Sequence, residues 1–81
     1  MAKYTANLLD LLTEEEKFVS ELERLEGMIT DDLYALDEDP NSVIIAARLT
    51  EHRNRKEALD EQLKKIRKRI KQMICRILQD Y

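Results

Sequence analysis

The residue types that could do chemistry are few and far apart in this 81-residue chain. It has one histidine, His52, and one cysteine, Cys75. Nucleophilic catalysis needs a nucleophile within hydrogen-bond reach of a base, and metal binding needs several clustered ligands. The sequence offers neither pattern, so we predict a protein that is not an enzyme. We expect no catalytic residues, metal site, cofactor or small-molecule substrate, and we interpret Cys75 as a small apolar packing residue.

The densest charge is a basic run over residues 64–71. It comprises Lys64, Lys65, Arg67, Lys68, Arg69 and Lys71. Clustered Lys and Arg release counterions from phosphates, so the run could contact nucleic acid or an acidic protein partner. A solvated helix face neutralised by an acidic neighbour is the simpler interpretation, because no aromatic residue interleaves the run and the chain carries a net charge of −3.

The composition is that of long helices, with 43% apolar and 38% charged residues, one Gly and one Pro. The single strong break lies around Pro40. Asp39 suits a helix N-cap, and Pro40 suits the first helical position, where no amide donor is needed. We therefore predict helix one over about 4–36, a turn at about 37–39 and helix two over about 40–80. So short a turn favours an antiparallel pair.

Both halves show apolar residues at alternating steps of four and three, the spacing of a coiled-coil seam. In the first half, with Glu15 and Asp32 included, the seam runs through Tyr4, Leu8, Leu11, Phe18, Leu22, Leu25, Ile29 and Leu36. In the second half it runs through Ile45, Leu49, His52, Lys56, Leu59, Leu63, Ile66, Ile70, Met73 and Ile77. The fold class is all-α, a coiled-coil-like antiparallel helical hairpin.

Charge supports the antiparallel arrangement. Residues 1–39 hold 12 acidic and 3 basic side chains, whereas residues 40–81 hold 5 acidic and 11 basic ones. Folding about the turn sets residue i near residue 78 − i, which pairs Glu14 and Glu15 with Lys64 and Lys65.

Four positions could disturb this regular pattern. His52 and Lys56 place polar groups in the seam, where they could set the register, act as a pH switch or, least plausibly, bind a metal. Thr13 begins a possible capping box, which would end a short leading helix near Leu12. Gly27 lies within helix one, where it is either tolerated or required for close approach of a partner helix.

Size indicates that the hairpin needs a partner. A core this small rarely supplies more than about 3–5 kcal/mol, so we expect completion by dimerisation or by another protein. The predicted interface lies at the two ends of the hairpin. It consists of Leu33, Tyr34, Val43 and Ile44 at the turn, and Met73, Ile74, Ile77, Leu78 and Tyr81 at the C-terminal end. Helix two is predicted to project past helix one there, unless Tyr4, Leu8, Leu9 and Leu12 cover the segment.

The chain resembles the small helical-hairpin co-chaperones of type III secretion systems, which help to hold needle subunits before export. The resemblance rests on the acidic Leu-rich opening over residues 8–12, the turn at Asp39-Pro40 and a long second helix. It implies a protein that holds another protein and carries no catalytic site.

The function predicted is a non-enzymatic interaction module, adaptor or co-chaperone, whose partner is another protein or a second copy. The alternative is a dimeric nucleic-acid-associated regulator that uses residues 64–71. The longest apolar run covers only residues 43–47, which excludes a transmembrane helix and a signal peptide. We therefore expect a cytoplasmic protein that does not bind membranes.

Overall fold

Two long helices packed side by side make up the fold. The computed structural model describes the backbone of residues 2–79 and the side chains of residues 6–79. Helix α1 spans Ala2–Glu38 and helix α2 spans Val43–Gln79. They form an antiparallel hairpin with principal extents of 60 × 15 × 13 Å, which confirms the predicted all-α hairpin. Over residues 2–79, neither helix contains a segment long and apolar enough to cross a membrane.

The N-cap of helix α2 is Ser42, whereas the sequence predicts Asp39. The amide of Ser42 donates to the carbonyl of Asp39 at 3.2 Å, so Pro40 occupies the second position of a four-residue turn. The hydroxyl of Ser42 accepts a hydrogen bond from the amide of Ile45 at 3.3 Å, the geometry of an N-cap. Helix α2 therefore begins at Val43, three residues later than Pro40, because Ser42 rather than Asp39 caps it.

This later start shifts the pairing of the helices by about one turn. The cross-helix ion pairs join Glu15 to Arg67 and Glu26 to Lys56, so residue i lies level with residue 82 − i rather than 78 − i. The two helices are also equally long, at 37 residues each. The predicted projection of helix two past helix one is therefore wrong, since Gln79 lies level with the start of α1.

The seam forms a narrow core. The buried apolar side chains of the described residues are Leu22, Leu25, Leu49, Leu63, Ile66 and Ile70. Leu25 alone among them is completely enclosed, with 0% of its surface exposed. The core lies in the middle of the hairpin, and apolar burial decreases toward both ends.

Helix α1 is continuous through both positions that could have disturbed it. Thr13 does not start a new helix, because its hydroxyl donates to the carbonyl of Leu9 at 2.9 Å from within the helix. Gly27 is exposed, and a Cβ atom placed on it would meet nothing within 4 Å. The close approach considered for Gly27 is therefore absent in the described hairpin, and the glycine is simply tolerated.

Replacing Gly27 by Ala should stabilise the protein. The position is helical, its φ is not positive and it has open space around it, so Ala gains about 1 kcal/mol from the lower entropy of the unfolded chain. The gain should appear as a higher midpoint in urea denaturation followed by circular dichroism. The matched control is Ala58→Gly, an exposed position within α2, which should lose a similar amount. No change in either variant would contradict the helix-interior assignment.

Candidate interaction faces and the buried Asp32 cluster

The hairpin has two long sides with different chemistry. We call the front face the set of residues that directly follow a seam position, and the rear face the set that directly precede one. Because the helices are antiparallel, the front residues of α1 and α2 lie on the same side of the hairpin. The ion pairs agree with this assignment, since Glu26 and Arg67 both follow seam positions and both bridge the helices.

The rear face is polar at the open end of the hairpin. An open groove of about 370 Å³ lies there between the two helices. Its lining combines the seam residues Leu11 and Met73 with the rear residues Asn7, Asp10, Arg69, Gln72 and Arg76. These residues come from both helices at the level that the shifted register predicts. The front face lies on the other side of the hairpin from this groove, at the same open end.

The front face carries most of the exposed apolar surface. Among the described residues eight large apolar side chains are exposed, and six of them belong to the front face. They are Leu9, Leu12, Leu33, Val43, Ile74 and Leu78. Val43 is included because the seam spacing, extended three residues back from Ile45, puts a seam position at residue 42. Tyr34 on the outer side of α1 and Ile44 on the rear face are the other two. The exposed large apolar side chains are therefore concentrated on one side of the hairpin, toward its two ends.

We call Leu9, Leu12, Ile74 and Leu78 the open-end patch. Leu9 and Ile74 are on the same level, and Leu78 is the most exposed of the four at 67%. At the turn, Leu33 and Val43 form a smaller apolar area on the same face. A shallow groove beside it is lined by Thr30, Leu33, Tyr34 and Asp37.

The predicted interface residues separate into three groups. Six are exposed, namely Leu33, Tyr34, Val43, Ile44, Ile74 and Leu78. Met73 and Ile77 are half-buried because both are seam residues that turn toward α1. Tyr81 lies outside the described residues, as does the side chain of Tyr4. The sequence predicts Leu9 and Leu12 only as possible cover for the C-terminal segment, yet they are exposed beside it.

A buried polar cluster near the turn is centred on Asp32. The carboxylate is only 2% exposed, and two side chains of α2 reach it. Nε of Arg48 donates to Oδ1 at 2.7 Å, and Nδ1 of His52 lies 2.6 Å from Oδ2. Because an ionised carboxylate only accepts hydrogen bonds, Nδ1 of His52 carries the proton in this contact. His52 is 9% exposed, and the cluster opens to solvent along Arg48 on the rear face.

The environment of Asp32 favours its ionised form. Burial by itself raises the pKa of the carboxyl, but hydrogen bonds from His52 and Arg48, together with their positive charge, outweigh it. The pKa of Asp32 therefore lies below its ordinary value of 3.8. Both oxygens of the buried carboxylate are satisfied by donors from α2, which is the arrangement of an ion cluster that links the two helices.

The sequence pattern located His52 but missed its partners. With the pairing 78 − i, Asp32 faces position 46, whereas the observed pairing sets it level with position 50, between Arg48 and His52. The available signal was an acidic residue at a seam position, which requires a counter-charge when buried. Lys56, the other polar residue that the prediction placed in the seam of helix two, is half-buried, and its Nζ lies 3.7 Å from Oε1 of Glu26.

All six basic side chains of the run over residues 64–71 are exposed. Its six Lys and Arg side chains encircle the outer surface of α2 and do not form one stripe. Among the described residues only Arg67 of the six makes an ion pair, with Glu15 at 3.0 Å. The predicted pairing of Glu14 and Glu15 with Lys64 and Lys65 is therefore wrong by about one helical turn. Neutralisation by α1 is partial.

Cys75 does not pack in the core. It is exposed on the outer side of α2, in a shallow surface groove that it shares with Lys68, Lys71, Gln72, Arg76 and Gln79. The interpretation of Cys75 as an apolar packing residue is wrong, because it lies opposite the seam.

The comparisons with known proteins found no match. The chain matches no protein-family model, and neither a curated protein nor a solved structure matches it.

Proposed function

We propose that the protein is a non-enzymatic interaction module that binds a protein partner through the apolar side chains of its front face. The observation that carries this proposal is the segregation of exposed apolar residues, six of eight on one side of the described hairpin. Exposed apolar side chains scattered at random need no explanation, but their clustering on one face, as in the open-end patch, marks a binding surface.

The open-end patch is the centre of the proposed binding surface. Its four members come from both helices, so a partner that covers it also holds the ends of the helices together. It is flanked by charged residues of the front face, Glu16 on α1 and Lys71 on α2, which are exposed. An apolar centre with a charged rim is the usual anatomy of a protein interface.

The narrowness of the core supports the same conclusion. One completely enclosed side chain and five further buried apolar ones leave little margin of stability for a chain of 81 residues. Each Å² of apolar surface that a partner buries on the front face contributes about 25 cal/mol of stabilising free energy. Binding is thus also a source of stability in the adaptor or co-chaperone role that we propose.

The test is a binding comparison between two exposed apolar sites on different faces. We expect Leu9→Asp and Leu78→Asp to abolish capture of the partner, because each sets a carboxylate in the apolar centre of the interface. Both side chains are well exposed, at 59% and 67%, so helicity by circular dichroism should stay unchanged. Capture would be measured by cross-linking and affinity purification from the cells that produce the protein.

Two control variants decide what a loss of capture means. Ile44→Asp alters an equally apolar, exposed residue of the rear face and should leave capture intact. The combined change of Lys65, Lys68 and Arg69 to Glu, which alters exposed residues of the rear face and the outer side of α2, should also preserve it. If the basic variant alone loses its partner, the front-face proposal is wrong, and a nucleic acid or an acidic protein bound by residues 64–71 takes its place.

A further inference from the structure

The hairpin exposes more surface than is typical of a folded monomer of its mass. Its accessible surface is 6393 Å², whereas a folded monomer of 9.6 kDa exposes about 5,100 Å² by the usual scaling of area with mass. The excess of about 1,300 Å² exceeds the roughly 800 Å² that each partner buries in a standard protein interface. A single layer of two helices therefore has the surface to form a dimer without losing its fold.

We propose that the front face binds the front face of a second copy of this chain, giving a four-helix bundle in which both turns lie at the same end. This inference rests on the proposed function and names the partner of the same surface. A two-fold axis parallel to the helices then sets α1 of one copy on α2 of the other, and neighbouring helices are antiparallel throughout.

Apolar surface is complementary in this arrangement. Leu9 and Leu12 lie level with positions 73 and 70, so they face the stretch of the second copy that holds the aliphatic stem of Lys71 and ends with Ile74. The symmetry repeats the contact, because Ile74 and Leu78 of the first copy face the beginning of α1 of the second. The open-end patches thus cover one another, and at the other end Leu33 packs over the first turns of α2 of the second copy.

Charge selects this orientation over the reverse one. The charged front residues of described α1 are all acidic, namely Glu16, Glu23, Glu26 and Asp37. Those of α2 are mainly basic, with Arg53, Lys64, Arg67 and Lys71 against Glu57 and Asp60. With turns together, Glu16 lies between Lys64 and Arg67 of the second copy. With the turn of one copy on the open end of the other, α1 lies on α1 and acid faces acid.

Two acidic front residues of α2, Glu57 and Asp60, meet acidic residues of the second copy in this arrangement, and Glu57 distinguishes the two orientations experimentally. With turns together, Glu57 faces Glu23 and Glu26 of the second copy. In the reverse orientation Glu57 faces Arg67 instead. Glu57→Lys should therefore tighten the proposed dimer and weaken the reverse one.

The experiment is sedimentation equilibrium over a concentration series, with helicity checked by circular dichroism. Wild-type protein should reach twice the chain mass of 9.6 kDa. Leu9→Asp, present twice in the dimer, should raise the dimer Kd at least about 100-fold. Ile44→Asp, equally apolar and exposed but on the rear face, should leave the Kd unchanged. Glu57→Lys should lower the Kd several-fold, and added salt should reduce that gain.

Three results would overturn the proposal. Wild-type protein that stays at the chain mass would exclude the second copy as the partner. Equal weakening by Leu9→Asp and Ile44→Asp would show association that does not use the front face. A weaker dimer in Glu57→Lys would reject the orientation. A monomeric wild type whose Leu9→Asp and Leu78→Asp variants lose a different protein would overturn this inference alone and leave the proposed function standing.

Discussion

Replacing Asp32 by Asn should lower the thermal midpoint of the hairpin by roughly 10 °C, on the scale by which small domains respond to loss of a buried charged contact. Both partners of the buried carboxylate, Arg48 and His52, act as donors in the structure. The amide of Asn has one accepting oxygen and one donating nitrogen, so one donor loses its partner. Even if His52 changes tautomer to accept from that amide, the charge assistance is lost.

The same residue makes stability depend on pH in the acid range. Because the pKa of Asp32 is lower in the folded protein than its ordinary 3.8, folding favours the ionised form. The resulting stabilisation is fully present above the ordinary value and is lost as the pH falls through the lower pKa of the folded state. Wild-type protein should lose part of its stability below about pH 4, and Asp32→Asn should lose less, since it lacks that titration.

Asp31→Asn is the matched control for both measurements. It removes a carboxylate from the neighbouring position, but Asp31 is exposed. Its thermal midpoint at neutral pH and its acid unfolding curve should stay close to wild type. Thermal melts of the three proteins between neutral pH and about pH 2.5 would decide the matter. If Asp31→Asn and Asp32→Asn behave alike, the buried cluster does not determine the acid sensitivity.

The sequence predicts the architecture well because local signals agree with one another. The four-three spacing, the scarcity of Gly and Pro, and the opposite charges of the two halves all favour an antiparallel hairpin, and the structure has one. The turn was harder to place, since Asp39 and Ser42 are both good caps on either side of Pro40. Three residues of difference at the cap moved the partner of every seam residue by about one helical turn.

The polar contacts depend on that register, which explains why periodicity alone does not predict the Asp32 cluster. Periodicity shows that Asp32 and His52 both belong to the seam, but their contact follows only when the cap is Ser42. Exposure is equally hard to deduce. Met73 and Ile74 are adjacent apolar residues, and only the geometry of the neighbouring helix leaves Ile74 exposed on the front face.

Leu25→Ala should have the largest effect of any single substitution in the core. Leu25 is completely enclosed, so its truncation removes apolar contacts and leaves a cavity that its neighbours cannot fill. Such a change costs about 2–5 kcal/mol, which is comparable to the roughly 3–5 kcal/mol that a hairpin core of this size supplies. The variant should be largely unfolded as a monomer, with low helicity by circular dichroism at low concentration.

The control is Leu33→Ala, which changes the same side-chain type on the same helix at a position that is 44% exposed. As a monomer it should lose less than about 1 kcal/mol, because little cavity forms at the surface. If the front face binds a second copy, both variants should regain stability as protein concentration rises, since dimerisation stabilises only the folded chain. Leu33→Ala should gain less stability from dimerisation than wild type does, because its truncated side chain belongs to that interface. Urea denaturation at two protein concentrations thus distinguishes the contribution of the hairpin core to stability from that of the dimer surface. If Leu25→Ala and Leu33→Ala lose equal free energies of unfolding, Leu25 is not the centre of the core.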